Sequence, residues 1–245
     1  DDRVPEEVNR RIIDHSSTIL LPYTARSKEN LIDEGIPRDR VYVTGNPIFE
    51  VLNHYSDKIS SSNIMKELGV SSKDYFLVTL HRSENVDERD RLQNIFSGFE
   101  KITDKYKKPL LISVHPRTAA KLSEFGFEFE SSSIRLLKPL GFFDFVKLEK
   151  EAFAVLTDSG TVQEECSIFG VPNVTVRDVT ERPETLECGS NVLAGAEPGA
   201  ILRSMEVALE SGTSWVPPGE YLAPSVSETI AKIVLGYTSL RQHHS

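Results

Sequence analysis

Cysteine is almost absent: Cys166 and Cys188 are the only two in 245 residues. Two thiols make neither a disulfide framework nor a cysteine metal site, so a reducing cytosolic setting fits them best and both are expected as small packing groups. Long apolar runs are missing as well. The longest, such as residues 19–22 and 152–156, fall far short of the roughly 20 residues that cross a bilayer, and no transmembrane helix is expected. Positive charge is in deficit, with 28 Lys+Arg against 37 Asp+Glu and a formal net charge of -9. That balance argues against non-specific attraction to nucleic acid or to an anionic membrane, so any anionic ligand must be held by local chemistry. The chain opens Asp1-Asp2-Arg3-Val4-Pro5, without a start Met or a basic-then-apolar leader, and no secretion signal is read. Internal repeats and low-complexity tracts are lacking too; Ser60-Ser61-Ser62 and Ser131-Ser132-Ser133 read as loops.

What remains is 39% hydrophobic and 27% charged, the profile of a globular protein with a sizeable core. Short β-branched and aliphatic runs alternate with segments of helical periodicity. Strands are expected at 41–44, 75–80, 109–114, 134–138, 152–157, 172–176 and 191–194. Helices are expected at 87–106, 118–125, 143–151, 161–169, 182–187 and 198–211. Such alternation builds right-handed crossovers on a parallel sheet, so the fold class is α/β, a doubly wound Rossmann-like domain. The first 50 residues read as helix 6–15, strand 18–23, helix 28–34 and strand 41–44, too few units for a domain of their own. A last helix, 224–237, follows the linker Pro217-Pro218-Gly219 and is expected to pack against them.

Five clusters carry polar groups where such a fold collects ligands. In Thr157-Asp158-Ser159-Gly160-Thr161 a buried strand turns into a helix, whose free N–H groups and dipole favour an anion. Ser159 and Gly160 would hold a diphosphate there, and Glu164 and Glu165, one turn on, would accept hydrogen bonds from a ribose diol. The alternative is that Ser159 only caps the helix and both glutamates are solvated. His81-Arg82 and His115-Pro116-Arg117 also follow strands directly, presenting one switchable and one fixed cation each, so three adjacent strands would deliver polar groups to one edge. In Arg177-Asp178-Val179-Thr180-Glu181-Arg182-Pro183 the charges are expected as surface pairs, with Arg182 also a candidate for the crevice. In Pro5-Glu6-Glu7-Val8-Asn9-Arg10, Glu6 and Arg10 share a helix face, which on its own means no more than a helical ion pair.

Taken together with Thr44-Gly45-Asn46-Pro47, these blocks resemble the non-hydrolysing UDP-N-acetylglucosamine 2-epimerases, in order and spacing, from residue 1 to about 235. The resemblance implies a glycosyltransferase B type fold of two Rossmann-like domains with a UDP-sugar between them. It divides the chain into a remnant of the first domain (1–50), a UDP-binding domain (51–220) and a terminal helix (221–245). It assigns His81, Ser159 and Gly160 to the diphosphate, Glu165 to the ribose, and Arg82 and Arg182 to the substrate cleft. Glu6 and Arg10 match active-site positions, Glu6 and His81 being the catalytic candidates, with Glu164, His115 and Arg117 as further contacts. No metal or redox cofactor is implied, and the full-length enzyme is expected to be a cytoplasmic homodimer. Residues 47–55 and 138–148 resemble the capsule and O-antigen branch, which acts on UDP-linked 6-deoxy or diacetamido sugars. The family carries a whole domain ahead of the Pro5-Glu6-Glu7 block, so this chain resembles the C-terminal two thirds of an epimerase and is expected to bind UDP weakly and turn over little by itself. A UDP-dependent glycosyltransferase and a non-catalytic UDP-binding module are the rival readings.

Overall fold

The computed structural model describes residues 5–127 and 133–241, and the side chains of 7–127 and 133–237. The chain divides into two compact units, Asp1–Asn53 with Gly219–Ser245, and His54–Pro218.

The first unit opens with α1 (Pro5–Ser16) and α2 (Ala25–Asp33). Thr24 caps α2, its hydroxyl accepting from the Ser27 N–H at 3.1 Å. The strands expected at 18–23 and 41–44 reduce to a single parallel bridge between Leu20 and Val41. Leu20 donates to Arg40, Tyr42 to Leu20 and Thr44 to Pro22. Pro22 has no N–H to return the next bond, so the ladder stops. Leu20, Ile36 and Val41 form a small core beside it. The chain then enters α3 (Ile48–His54), with the Asn46 side chain accepting from Ile48 N–H at 3.0 Å.

The second unit begins with two short helices, α4 (Ser56–Ser60) and α5 (Ile64–Leu68). Alternation then sets in: β1 (Phe76–Leu80), α6 (Ser83–Val86), α7 (Arg89–Tyr106), β2 (Leu110–Val114), α8 (Pro116–Glu124), β3 (Ile134–Leu137) and α9 (Phe142–Glu151). It continues through β4 (Ala154–Thr157), α10 (Gly160–Phe169), β5 (Asn173–Thr175), α11 (Pro183–Glu187), β6 (Asn191–Leu193) and α12 (Pro198–Glu210). Every pairing is parallel and the order is β3-β2-β1-β4-β5-β6. These strands and helices stand where the hydrophobic runs place them, with ends shifted by no more than two residues. The helices of five residues or fewer at α4, α5 and α6 are additions, too short to show a period.

Alternation along the strands divides the core in two. Phe76, Val78 and Leu80 face α7 and α12 through Leu92, Ile95, Phe99, Ile201 and Met205. Leu77, Leu111 and Val155 face the other way, onto Ile64, Leu148, Val162 and Cys166 of α5, α9 and α10. Helices therefore cover both sheet faces, as in doubly wound proteins.

The chain returns to the first unit at Gly219 and ends in α13 (Val226–Arg241). Gly45 makes that return possible. It sits at φ 86°, and a Cβ there would stand 2.5 Å from Ala223 Cβ and 3.0 Å from the Glu220 carbonyl. Next to it, Asn46 N–H donates to Glu220 O at 2.8 Å, while Ser227 N–H donates to Glu50 at 2.9 Å. Among the described residues no helix is long and apolar enough to cross a membrane.

Candidate active site at the carboxyl edge of the sheet

Strand order reverses direction between β1 and β4, and such folds collect their ligands at this point, outside the carboxyl ends of the strands. Asp158, the first residue past β4, is fully buried at that point. Its carboxylate accepts from the N–H of His81 at 3.0 Å, the N–H of Arg82 at 2.8 Å and the Asn85 amide at 3.2 Å. The His81 ring lies alongside, Nδ1 3.0 Å from Asp158 Oδ1. Burial by itself would raise the Asp158 carboxyl; the His81 side chain and the two backbone N–H groups outweigh it and hold the group below its ordinary value. A buried acceptor that stays ionised fixes the proton on Nδ1, leaving Nε2 of the half-exposed His81 for a ligand. Asn85 extends the brace, donating also to Val176 O at 2.9 Å and accepting from Arg91 Nε at 2.8 Å.

Directly after Asp158 comes the turn into α10 expected to hold an anion. The Ser159 hydroxyl makes no capping bond to α10, so the alternative of a simple cap fails. The first-turn N–H groups of a helix have no intrahelical acceptor and carry its positive end. Ser159 itself is held from behind, its N–H on Thr157 Oγ1 at 2.9 Å and its carbonyl accepting from Gln163 Nε2 at 3.2 Å. Gln163 is a buried hub, also accepting from Thr180 Oγ1 at 2.6 Å and from Asn191 Nδ2 at 3.2 Å, and so ties this turn to the loop carrying Arg182.

Arg182 lies over the turn: its guanidinium carbon is 3.4 Å from where a Gly160 Cβ would be, and its Nε donates to Glu164. Glu164 and Glu165 are not solvated but buried, 2% and 4% exposed. Glu165 faces a second buried carboxyl, Glu149 of α9. Burial pushes Glu165 up to about 7, a hydrogen bond with Glu149 lowering it and the Glu164 charge adding to the rise. Of the surface pairs expected on the Arg177 loop, Asp178 makes one with Arg91 at 3.0 Å, but Arg177 itself is not at the surface. Arg177 is buried and holds Glu84 and Glu181, each at 2.8 Å. Arg82 turns its guanidinium toward Glu181 at 3.9 Å, with a buried Nε that meets no acceptor among the described residues.

His115 follows β2 as expected but serves as the cap of α8, Nδ1 accepting from the Arg117 N–H at 3.2 Å, and Arg117 pairs with Asp87. Beside them a cavity of about 350 Å³ is lined by Thr79, His81, Ser113, His115, Leu140, Phe145 and Val162. In the first unit, Arg10 is claimed by Glu7, Asp14 and Glu34 at 2.6, 2.6 and 2.7 Å. Its hydrogen bond to Arg10 draws Glu7 down to about 2. The Glu6 side chain lies outside the described residues. The sequence reading missed three contributors, Asp158 as lock, Asn85 as brace and Glu149. The one signal for Glu149 is a charged residue on the apolar face of α9, three positions after Val146. Among the described residues no three His, Cys, Asp or Glu side chains gather as metal ligands.

The family model of UDP-N-acetylglucosamine 2-epimerase matches residues 1–235. The chain belongs to the UDP-N-acetylglucosamine 2-epimerase family. It is 41% identical over 224 residues to the UDP-N-acetylglucosamine 2-epimerase of Methanocaldococcus jannaschii, covering 89% of this chain and 61% of that protein. To the UDP-2,3-diacetamido-2,3-dideoxy-D-glucuronate 2-epimerase of Pseudomonas aeruginosa it is 35% identical over 210 residues, 84% of this chain and 57% of that protein. The solved structure of the M. jannaschii epimerase, in complex with UDP-GlcNAc and UDP, superposes with a TM-score of 0.89 at 38% identity, covering 96% of this chain and 66% of that chain. The chain thus spans about 60% of the length of the epimerases it matches.

Proposed function

We propose that the whole protein inverts C2 of a UDP-N-acetylhexosamine, and that the second unit grips the UDP. The carrying observation is the Asp158-locked His81 beside the uncapped start of α10, at the strand-order reversal. The C2 proton of such a sugar is not acidic, so direct deprotonation is too slow. Expelling UDP from C1 together with that proton gives a 2-acetamidoglucal and UDP. Returning the proton to the opposite face of C2, and the UDP oxygen to C1, completes the inversion. Leaving-group charge then dominates the barrier, and fixed donors that need no reorganisation are the strongest means of stabilising it. The first-turn N–H groups of α10, Arg82 and Arg182 supply those donors around one diphosphate, and His81, its Nδ1–H held by Asp158, joins them once Nε2 takes up a proton. The cavity beside His81 offers apolar walls and hydroxyls suited to the base.

The test is proton NMR of UDP-N-acetylglucosamine in deuterated water with the whole protein. Deuterium entering C2, with the C2 epimer accumulating, is the expected result; absence of both from every UDP-hexosamine offered sinks the proposal. Replacing His81 with Ala should slow exchange by about 100- to 1000-fold, the usual cost of one such donor. The P. aeruginosa relative favours a second reading, in which the sugar is a UDP-linked diacetamido uronate. The same experiment with that sugar decides between them.

A further inference from the structure

Glu149 has no part in the scheme above and, like Asp158, is an acid of the second unit that is 0% exposed, here on the inner face of α9. Cys166 Sγ lies 3.4 Å from its Oε1 and donates to it. Its Oε2 is buried and receives no hydrogen bond among the described residues. An ionised carboxylate so placed would be desolvated with one oxygen uncompensated, which costs several kcal/mol, so the group is neutral. A neutral carboxyl carries an O–H that needs an acceptor of its own. The Glu165 carboxyl stands within hydrogen-bonding reach.

We propose that Glu149 is a positioning residue, its buried O–H holding the Glu165 carboxylate in the orientation that accepts the two hydroxyls of a ribose. This rests on the reading of Glu165 as the ribose contact. The other charged and titratable groups around the pair do different work. Arg182 takes Glu164, the neighbour on α10. Lys73, ahead of β1, spends its ammonium on the carbonyls of Lys150 and Ala152, each at 3.0 Å. Glu151 accepts from Ser72 Oγ at 2.6 Å. The Cys166 thiol is pushed well up by burial and stays protonated. Glu149 is thus left as the neutral donor in the pair. Because burial lifts both carboxyls, the pair keeps a proton near neutral pH.

Calorimetric titration with UDP and with 2′,3′-dideoxy-UDP separates positioning from a merely structural role. The unchanged protein should prefer UDP by about tenfold or more, the value of one hydrogen bond to a charged group. In E149L that preference should fall to about twofold or less while dideoxy-UDP binds as before, and E149Q, whose amide still donates, should restore it. A preference that survives intact in E149L, or equal losses for both nucleotides, overturns the proposal while leaving the ribose reading of Glu165 in place. Equal binding of the two nucleotides by the unchanged protein overturns that reading and the proposal with it. Should E149L not fold, E149M, which keeps the length of the side chain and loses the donor, takes its place: it should lower the preference as E149L would, and a preference that survives intact in E149M overturns the proposal.

Discussion

Asp158 does more than any other side chain to shape the candidate site, because one buried carboxylate fixes two backbone N–H groups, an amide and an imidazole. Replacing it with Asn turns one acceptor into a donor. The amide must then meet His81 Nδ1 as a donor, which moves the ring proton to Nε2 and leaves a buried N–H mismatched. D158N should therefore lose about 1–3 kcal/mol in urea unfolding, and nitrogen-15 NMR of His81 should show the opposite tautomer. The Glu149–Glu165 pair gives a stability effect of a definite sign. Burial lifts both folded carboxyls above the ordinary carboxylate value, Glu165 to about 7 and Glu149 well above that ordinary value. The folded state therefore binds more protons than the unfolded chain as pH rises from the ordinary value. Stability is greatest below that value and declines as pH climbs through about 7, by up to ~1.4 kcal/mol per pH unit per proton. Urea unfolding at several pH values should show this decline, and E149Q, which removes one of the two raised groups, should lessen it without abolishing it. Little of this was legible in the sequence. His81 and Asp158 could each be marked as residues leaving a strand, but their bond joins positions 77 apart and exists only once β1 and β4 are neighbours.

At the scale of elements the sequence is far more telling. Strands buried on both faces leave unbroken apolar runs, and the helices between them carry long amphipathic periods, so the alternation of the second unit can be read directly. What escapes is the pairing. Strand order, which puts β4 rather than β3 beside β1 and so creates the reversal, is decided by helix packing on two faces and has no local signature. The first unit resists for a different reason, since a run such as residues 18–23 reads as a strand but finds one partner and is cut short by Pro22. Helices α7 and α12 pack against each other on the sheet face they cover. Their contact depends on Gly98, where a Cβ would come within 2.9 Å of Ile201 Cδ1 and 3.1 Å of its Cβ. The Ile201 Cβ belongs to a branched, fully buried side chain and cannot swing aside. G98A should therefore destabilise the second unit by about 1–3 kcal/mol, the range for overpacking, despite the higher helix propensity of alanine. A thermal melt followed by circular dichroism measures it, and pairing G98A with I201V should recover part of the loss.

On the scale of the molecule the chain visits two compact units in the order first, second, first. The second is continuous and owns both core clusters that sandwich the sheet, together with every residue of the Asp158 network. Expressed alone, residues 54–218 should fold cooperatively and bind UDP within about tenfold of the whole chain; an unfolded product by circular dichroism would show that the core clusters are insufficient by themselves. G45A should leave the second unit's unfolding unchanged while lowering that of the first, since the added methyl strikes Ala223 and the Glu220 carbonyl. The same seat for Ala223 and Glu220 carries a consequence for biosynthesis. A ribosome adds roughly 5–20 residues per second, so 165 residues of the second unit separate Asn53 from Gly219, an interval on the order of 10 to 30 seconds. Throughout that interval Gly45 and Asn46 have no partner to dock against. The continuous unit can mature while still tethered to the translating ribosome; the interrupted one is obliged to wait, half made, for the tail of its own message.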